Sequence, residues 1–332
     1  PCQTKVKAER LLFAVFFAMA LFLSACAPLD IPSTDLPGKE EVPSQKILVT
    51  DQLRKQIAIY DIADSDWSSP EWVWTTDAPT FYYPDGVKYR YSKIWQTYVV
   101  LVTSSGGYCA AISYPSGEVL ARISDAGGNP HSIELLPDGS IAVASSGGYV
   151  RIYSTASGSV DLESYIQFSL AGAHGVLWDP KYEVLWALGT HVLEAYRLTG
   201  TPEAPAVVKQ EDLCSQLPDG GGHDLAPVYG DTDALWVTGG SRVVQYRKDT
   251  KKWNSSYDGA AFISSNNVKG IGNFPETKTV VRTVPDGTYQ SWNTKAVDIL
   301  TWSEKDSRYL KESREIPGGA IYKVRVCLPD YQ

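Results

Sequence analysis

Sulfur is scarce in this 332-residue chain, which has five cysteines and one methionine. Cys2 and Cys26 belong to an apolar amino-terminal stretch, which leaves Cys109, Cys214 and Cys327 for the folded part. Three thiols permit at most one disulfide and no thiolate metal cluster, so they read as core or loop residues. Long hydrophobic runs are also lacking. The longest, residues 11–25, is too short for a comfortable membrane span, and nothing after it has helical periodicity. No Gly-x-Ser-x-Gly elbow, phosphate loop or EF-hand spacing occurs, and no carboxylate pair suggests a glycosidase. Basic residues are outnumbered, 30 Lys and Arg against 38 Asp and Glu, for a net charge of −8. That balance argues against a nucleic-acid partner.

The apolar run 11–25 is preceded by Lys5, Lys7 and Arg10, in the manner of a secretory leader. It ends in Leu23-Ser24-Ala25-Cys26, which resembles the lipobox of bacterial lipoproteins. The resemblance implies lipidation of Cys26 as the first mature residue, and Ala27 after it implies outer-membrane or surface placement. An uncleaved short anchor is the alternative. Removing residues 1–25 takes away three positive charges and Glu9, moving the net charge from −8 to −10. The expected organisation is a signal peptide over 1–25, a stiff proline-rich tether over 26–45 and one domain over 46–332. The protein is expected to be a monomer that meets the membrane only through its lipid.

What the chain has in quantity is repetition. Residues 129–153, NPHSIELLPDGSIAVASSGGYVRIY, combine a polar entry with a histidine, an apolar run, a Pro-Asp-Gly turn, a second apolar run and a glycine hairpin. Residues 172–198 and 221–247 repeat that order, each with a histidine at the same place. Aligned on this position, the series Lys88, His131, His174, His223 and Lys269 has spacings of 43, 43, 49 and 46 residues. A period of 40–50 residues built from short strands rich in β-branched and aromatic side chains predicts an all-β fold, a β-propeller. The count gives six blades, or seven if residues 283–316 hide another. The first blade lacks an innermost strand, which residues 318–327 are expected to supply by closing the ring. Strand aromatics such as Trp178, Trp186, Trp236, Tyr153 and Tyr246 read as packing between blades. Tyr82, Tyr83, Tyr108 and Tyr149 lie in loops and could stack on a sugar.

In such a blade, the loop entering the first strand and the loop between the second and third open on one face. The recurring residues should therefore ring the channel mouth, with Tyr322 or Lys323 in the sixth place. Hairpin residues Asp51, Gln52, Ser105, Ser145 and His191 should stand beside them. Two chemistries suit this set. His131, His174 and His223 could hold a divalent metal with an open position, or serve as catalytic bases. Alternatively, imidazoles beside Lys88, Arg90 and Lys269 could form a cationic pocket for a carboxylate, sulfate or phosphate. A duplicated structural histidine is the plain alternative.

The phrases NPHSIELLPDG (129–139), GAHGVLWD (172–179), GGHDLAPVYG (221–230) and LWVTGG (235–240) resemble a bacterial family of secreted propellers of unknown function. The resemblance spans residues 46–326; it implies fold and export and supplies no reaction. The resulting expectation is a lipid-anchored propeller that recognises an anionic ligand, a uronate-bearing glycan. Its rivals are a polysaccharide lyase using the histidines, by analogy with lyases of similar architecture, and a protein-interaction scaffold.

Overall fold

The computed structural model describes residues 45–332; the expected leader, Cys26 and most of the tether fall outside them. Six antiparallel sheets, each with a four-stranded path, follow one another along the chain. Blade 1 combines Ile321–Val326, Lys46–Asp51, Gln56–Asp61 and Trp72–Trp74, in that order from the axis outward. The innermost strands of blades 2 to 6 are Pro84–Ser92, Pro130–Leu135, Gly175–Asp179, Asp224–Pro227 and Gly270–Phe274. This is the six-bladed propeller that the repeat predicts. The doubtful region 283–316 holds the two outer strands of blade 6, Ala296–Ser303 and Arg308–Glu315, so no seventh blade exists among the described residues.

The ring closes as expected. Ile47 pairs with Val326, Leu48 with Arg325 and Val49 with Val324, so the carboxyl-terminal strand completes the amino-terminal blade. Backbone groups that would otherwise leave an open edge are thereby paired.

Burial follows position within the blade. Second strands such as Ile141–Ser145, Val184–Leu188 and Ala234–Thr238 are buried throughout, which explains their unbroken apolar runs. The outermost Tyr165–Ser169 and Pro205–Lys209 alternate, because one face meets solvent. Six apolar clusters form, one at each junction between neighbouring blades. Tyr60, Tyr153, Tyr196 and Tyr246 each fill a different junction. Trp186 is fully buried, packs edge-on against Tyr246 at 5.7 Å and donates to Asp179 Oδ2 at 2.9 Å. An aromatic pair of this kind contributes about 0.5–1.5 kcal/mol beyond its buried area.

Tyr108 corrects one expectation. It is buried between blades 1 and 2, 5.7 Å from Phe81, and offers no surface to a sugar. The three cysteines are free thiols.

Candidate functional site

The channel mouth is built from one residue per blade, and five of the six are placed by the same backbone device. Tyr83, Asn129, Gly172, Gly221 and Asn267 all have left-handed backbones, with φ between 49° and 64°. The residues two positions later are Asp85, His131, His174, His223 and Lys269, at or immediately before the innermost strands. Tyr322 supplies the sixth place from the closing strand, and Lys323 turns inward to Asp224.

Blade 2 therefore differs from the expectation. Asp85, not Lys88, holds the ring position, and Lys88 lies three residues farther along the strand. Pro84-Asp85-Gly86 reads as a turn, but it opens the strand Pro84–Ser92. Pro84 faces Ser104 and Pro130 faces Ser145, and both strands carry a β-bulge just beyond, which fixes the equivalence. The bulge in blade 2 is satisfied by Thr103 Oγ1, which accepts from Gly86 N at 2.9 Å. The signal that would have revealed Asp85 is the match between Tyr83-Pro84-Asp85 and Asn129-Pro130-His131.

Three imidazoles meet here. Ring centroids are 4.5 Å apart for His131 and His174, 4.9 Å for His174 and His223, and 6.4 Å for His131 and His223. His131 Nδ1 donates to Asn129 O at 2.9 Å and His174 Nδ1 to Gly172 O at 2.7 Å. A carbonyl only accepts, so these bonds fix the tautomer and leave each Nε2 with its lone pair. His223 Nε2 lies 2.9 Å from the Tyr322 hydroxyl. Burial lowers all three imidazoles, His174 to about 4 and the other two well below the usual histidine value. Neighbouring positive charge adds to this, with Lys269 the next contributor at His223. At neutral pH the trio is uncharged.

Lys269 is half-buried, and no carboxylate among the described residues lies within ion-pairing distance of its amine. Desolvation, then Lys323, lowers it to about 8. Asp85 is buried and is raised to about 7, chiefly by desolvation, against the opposing effects of Ser105, Lys323 and Gln52. Ser105 Oγ donates to its Oδ2 at 2.5 Å and Gln52 Nε2 to its Oδ1 at 3.0 Å. Gln52 Oε1 in turn accepts from Trp292 Nε1 at 2.9 Å and Asn293 Nδ2 at 2.9 Å. This chain ties the carboxyl to an aromatic rim. Trp292 and Tyr289 are exposed, and Tyr83 lies 6.3 and 6.5 Å from their rings. A cavity of about 290 Å³ opens between the rim and the ring, lined by Tyr83, Asp85, His131, His223, Lys269 and Trp292 among others. Trp292, in a long loop of blade 6, was invisible to the repeat alignment.

Other expected site residues lie elsewhere. Lys88 and Arg90 are buried in the channel, where both bind Glu134, so they offer no free charge at the mouth. His191 is exposed, with its ring against Gly220, outside the cavity. Asp51 is buried and accepts from Arg54 and from Ala320 N, holding the closing strand. Ser145 is buried with its hydroxyl unpartnered among the described residues. No group of three or more His, Cys, Asp or Glu side chains among the described residues is arranged to hold a metal ion.

Fold and mouth together define a six-bladed propeller with a polar, aromatic-rimmed cavity on its axis. The chain belongs to a family of unknown function, DUF6528, whose model matches residues 7–292. Two solved propellers resemble it in fold. The WD40 β-propeller domain of Doa1 gives a TM-score of 0.51 at 12% identity, covering 86% of this chain and 83% of that one. A chain of the nidogen/laminin complex gives 0.57 at 13% identity, covering 86% and 98%. Comparison with curated proteins finds no match.

Proposed function

We propose that the channel mouth binds a glycan bearing carboxylates, a uronate-containing chain, at the bacterial cell envelope. The reading is carried by one juxtaposition: a neutral imidazole acceptor, an unpaired ammonium and an exposed tryptophan share one cavity. Nε2 of His131, which lines the cavity with its lone pair free, suits a sugar hydroxyl, which donates, whereas Lys269 suits the carboxylate. Trp292, set edge-on to Tyr83 at 78°, offers its own ring face to the apolar face of a pyranose. The aromatic Tyr83 in a left-handed backbone, held in place by its surroundings, is the kind of strained position found at ligand sites. The lipobox-like residues 23–26 support the envelope location.

Calorimetric titration with uronate oligosaccharides and with their carboxyl-reduced counterparts tests this. Binding should weaken at least tenfold on carboxyl reduction. Lys269→Met should abolish that difference, and equal affinity for both ligands in the native protein would refute the reading.

A second reading, β-elimination on the same ligand, draws support from the Tyr322–His223 hydrogen bond and from the unprotonated His131, all three of which line the cavity. One of these bases would take the proton beside the carboxylate, the adjacent carbon–oxygen bond would break, and the leaving oxygen would gain a proton. Unsaturated products would separate an enzyme from a binder.

A further inference from the structure

We propose that the channel holds one small monovalent anion, a halide, against Arg325, Arg90 and Lys88, below and separate from the mouth. Two neighbouring inner strands carry the same pattern, Lys88-Tyr89-Arg90 and Lys323-Val324-Arg325, and all four basic side chains are buried. Among the described residues they bond to only two carboxylates. Glu134 accepts from Lys88 Nζ and from Arg90 Nε and Nη2, each at 3.0 Å. Asp224 accepts from Lys323 Nζ at 3.1 Å and from Arg325 Nη1 at 2.7 Å and Nη2 at 2.5 Å. Each carboxylate is therefore shared by two cations, which leaves positive charge in excess. The third acid, Asp85, belongs to the mouth and faces Lys323 rather than this level of the channel.

Arg325 Nε is buried and has no hydrogen-bond partner among the described residues. Arg325 lines a cavity of about 20 Å³ together with Lys88, Arg90 and the apolar Leu225, Pro227 and Ile271. That volume suits one water-sized species and is too small for a sulfate, phosphate or sugar. A water would satisfy the Nε–H but leave the charge unbalanced, and uncompensated buried charge is strongly unfavourable. A halide accepts several N–H bonds, supplies one of the two negative charges that four cations and two carboxylates leave unbalanced, and tolerates apolar walls. Burial lowers the Lys88 ammonium to about 7, with Glu134 opposing and Arg90 and Arg325 adding smaller repulsions.

The test is a crystal structure of the full chain in bromide, with data collected at the bromine edge, alongside melting curves at constant ionic strength. An anomalous peak beside Arg325 is expected. Once bromide exceeds its dissociation constant, the melting temperature should rise by about 3 °C per tenfold increase when bromide replaces gluconate, which is too large to enter. Lys88→Met leaves the Arg90–Glu134 pair intact and should remove most of this dependence. Water-strength density without an anomalous signal would overturn the proposal, as would a bromide effect unchanged in Lys88→Met. The bromide map of the native protein stands even if the variant fails to fold.

Discussion

Replacing Asp85 by Asn should stabilise the protein above neutral pH, because this carboxyl sits where its ionised form is disfavoured. Burial raises it from 3.8 to about 7. Between those values the unfolded chain is ionised while the native carboxyl keeps its proton. The stability that protonation confers is thus complete below pH 3.8 and lost as pH rises through about 7. At about 1.36 kcal/mol per pH unit, the loss reaches about 4 kcal/mol and then levels off. The substituted amide would have no such dependence and would keep the hydrogen bonds, its carbonyl accepting from Gln52 and its NH2 group donating to Ser105. The three histidines titrate in the opposite sense: their stabilisation is present above 6.5 and falls away below it as the unfolded imidazoles bind protons. The difference between variant and native protein isolates Asp85. Urea unfolding measured every half unit from pH 4 to 8.5 should show the variant gaining on the native protein by about 2–4 kcal/mol at the alkaline end. A flat difference, or a variant less stable at pH 8, would mean that Asp85 is ionised and paired with Lys323, and the reasoning would fail.

Asp179 accepts from Lys248 Nζ at 2.6 Å and from Trp186 Nε1 at 2.9 Å, and all three residues are buried. Asp179→Ala should cost about 3–5 kcal/mol in chemical denaturation by leaving an uncompensated charge, and should not change ligand affinity in the surviving native fraction. Deleting residues 318–332 removes the innermost strand of blade 1 and should abolish the cooperative melting transition; a retained sharp transition would show that ring closure is dispensable. His174→Gln should raise stability at pH 5 relative to the native protein, since an imidazole lowered to about 4 is neutral there only at the expense of folding. The same comparison at pH 8 should show no gain.

The fold was legible because its repeat is carried by features that the fold itself requires. A polar entry, a turn, an unbroken apolar second strand and a hairpin after it recur at a readable period. The orphan strand near residue 320 also followed from that count, since a closed ring leaves no edge. The site was legible only where a rare residue marked it. Histidine drew attention to blades 3, 4 and 5, whereas Asp85 was hidden inside a Pro-Asp-Gly that serves as a turn in blade 3 and as a strand start in blade 2. Lys88 and Arg90 illustrate the limit of counting charges along a chain. Their neutralising partner, Glu134, lies on the neighbouring blade 46 and 44 residues away, and only packing reveals it. Trp292 comes from a loop outside the repeat, where no periodicity could place it beside the ring, whereas Gln52 and Ser105 stand beside Asp85 as their hairpin positions implied.

The most direct test of the ligand site is a crystal structure of the full chain soaked with a short uronate oligosaccharide. The account predicts density in the axial cavity, with a carboxylate on the Lys269 amine, a hydroxyl on Nε2 of His131 and a ring against Trp292. A saccharide bound on the blade sides or the opposite face, with the mouth untouched, would contradict it.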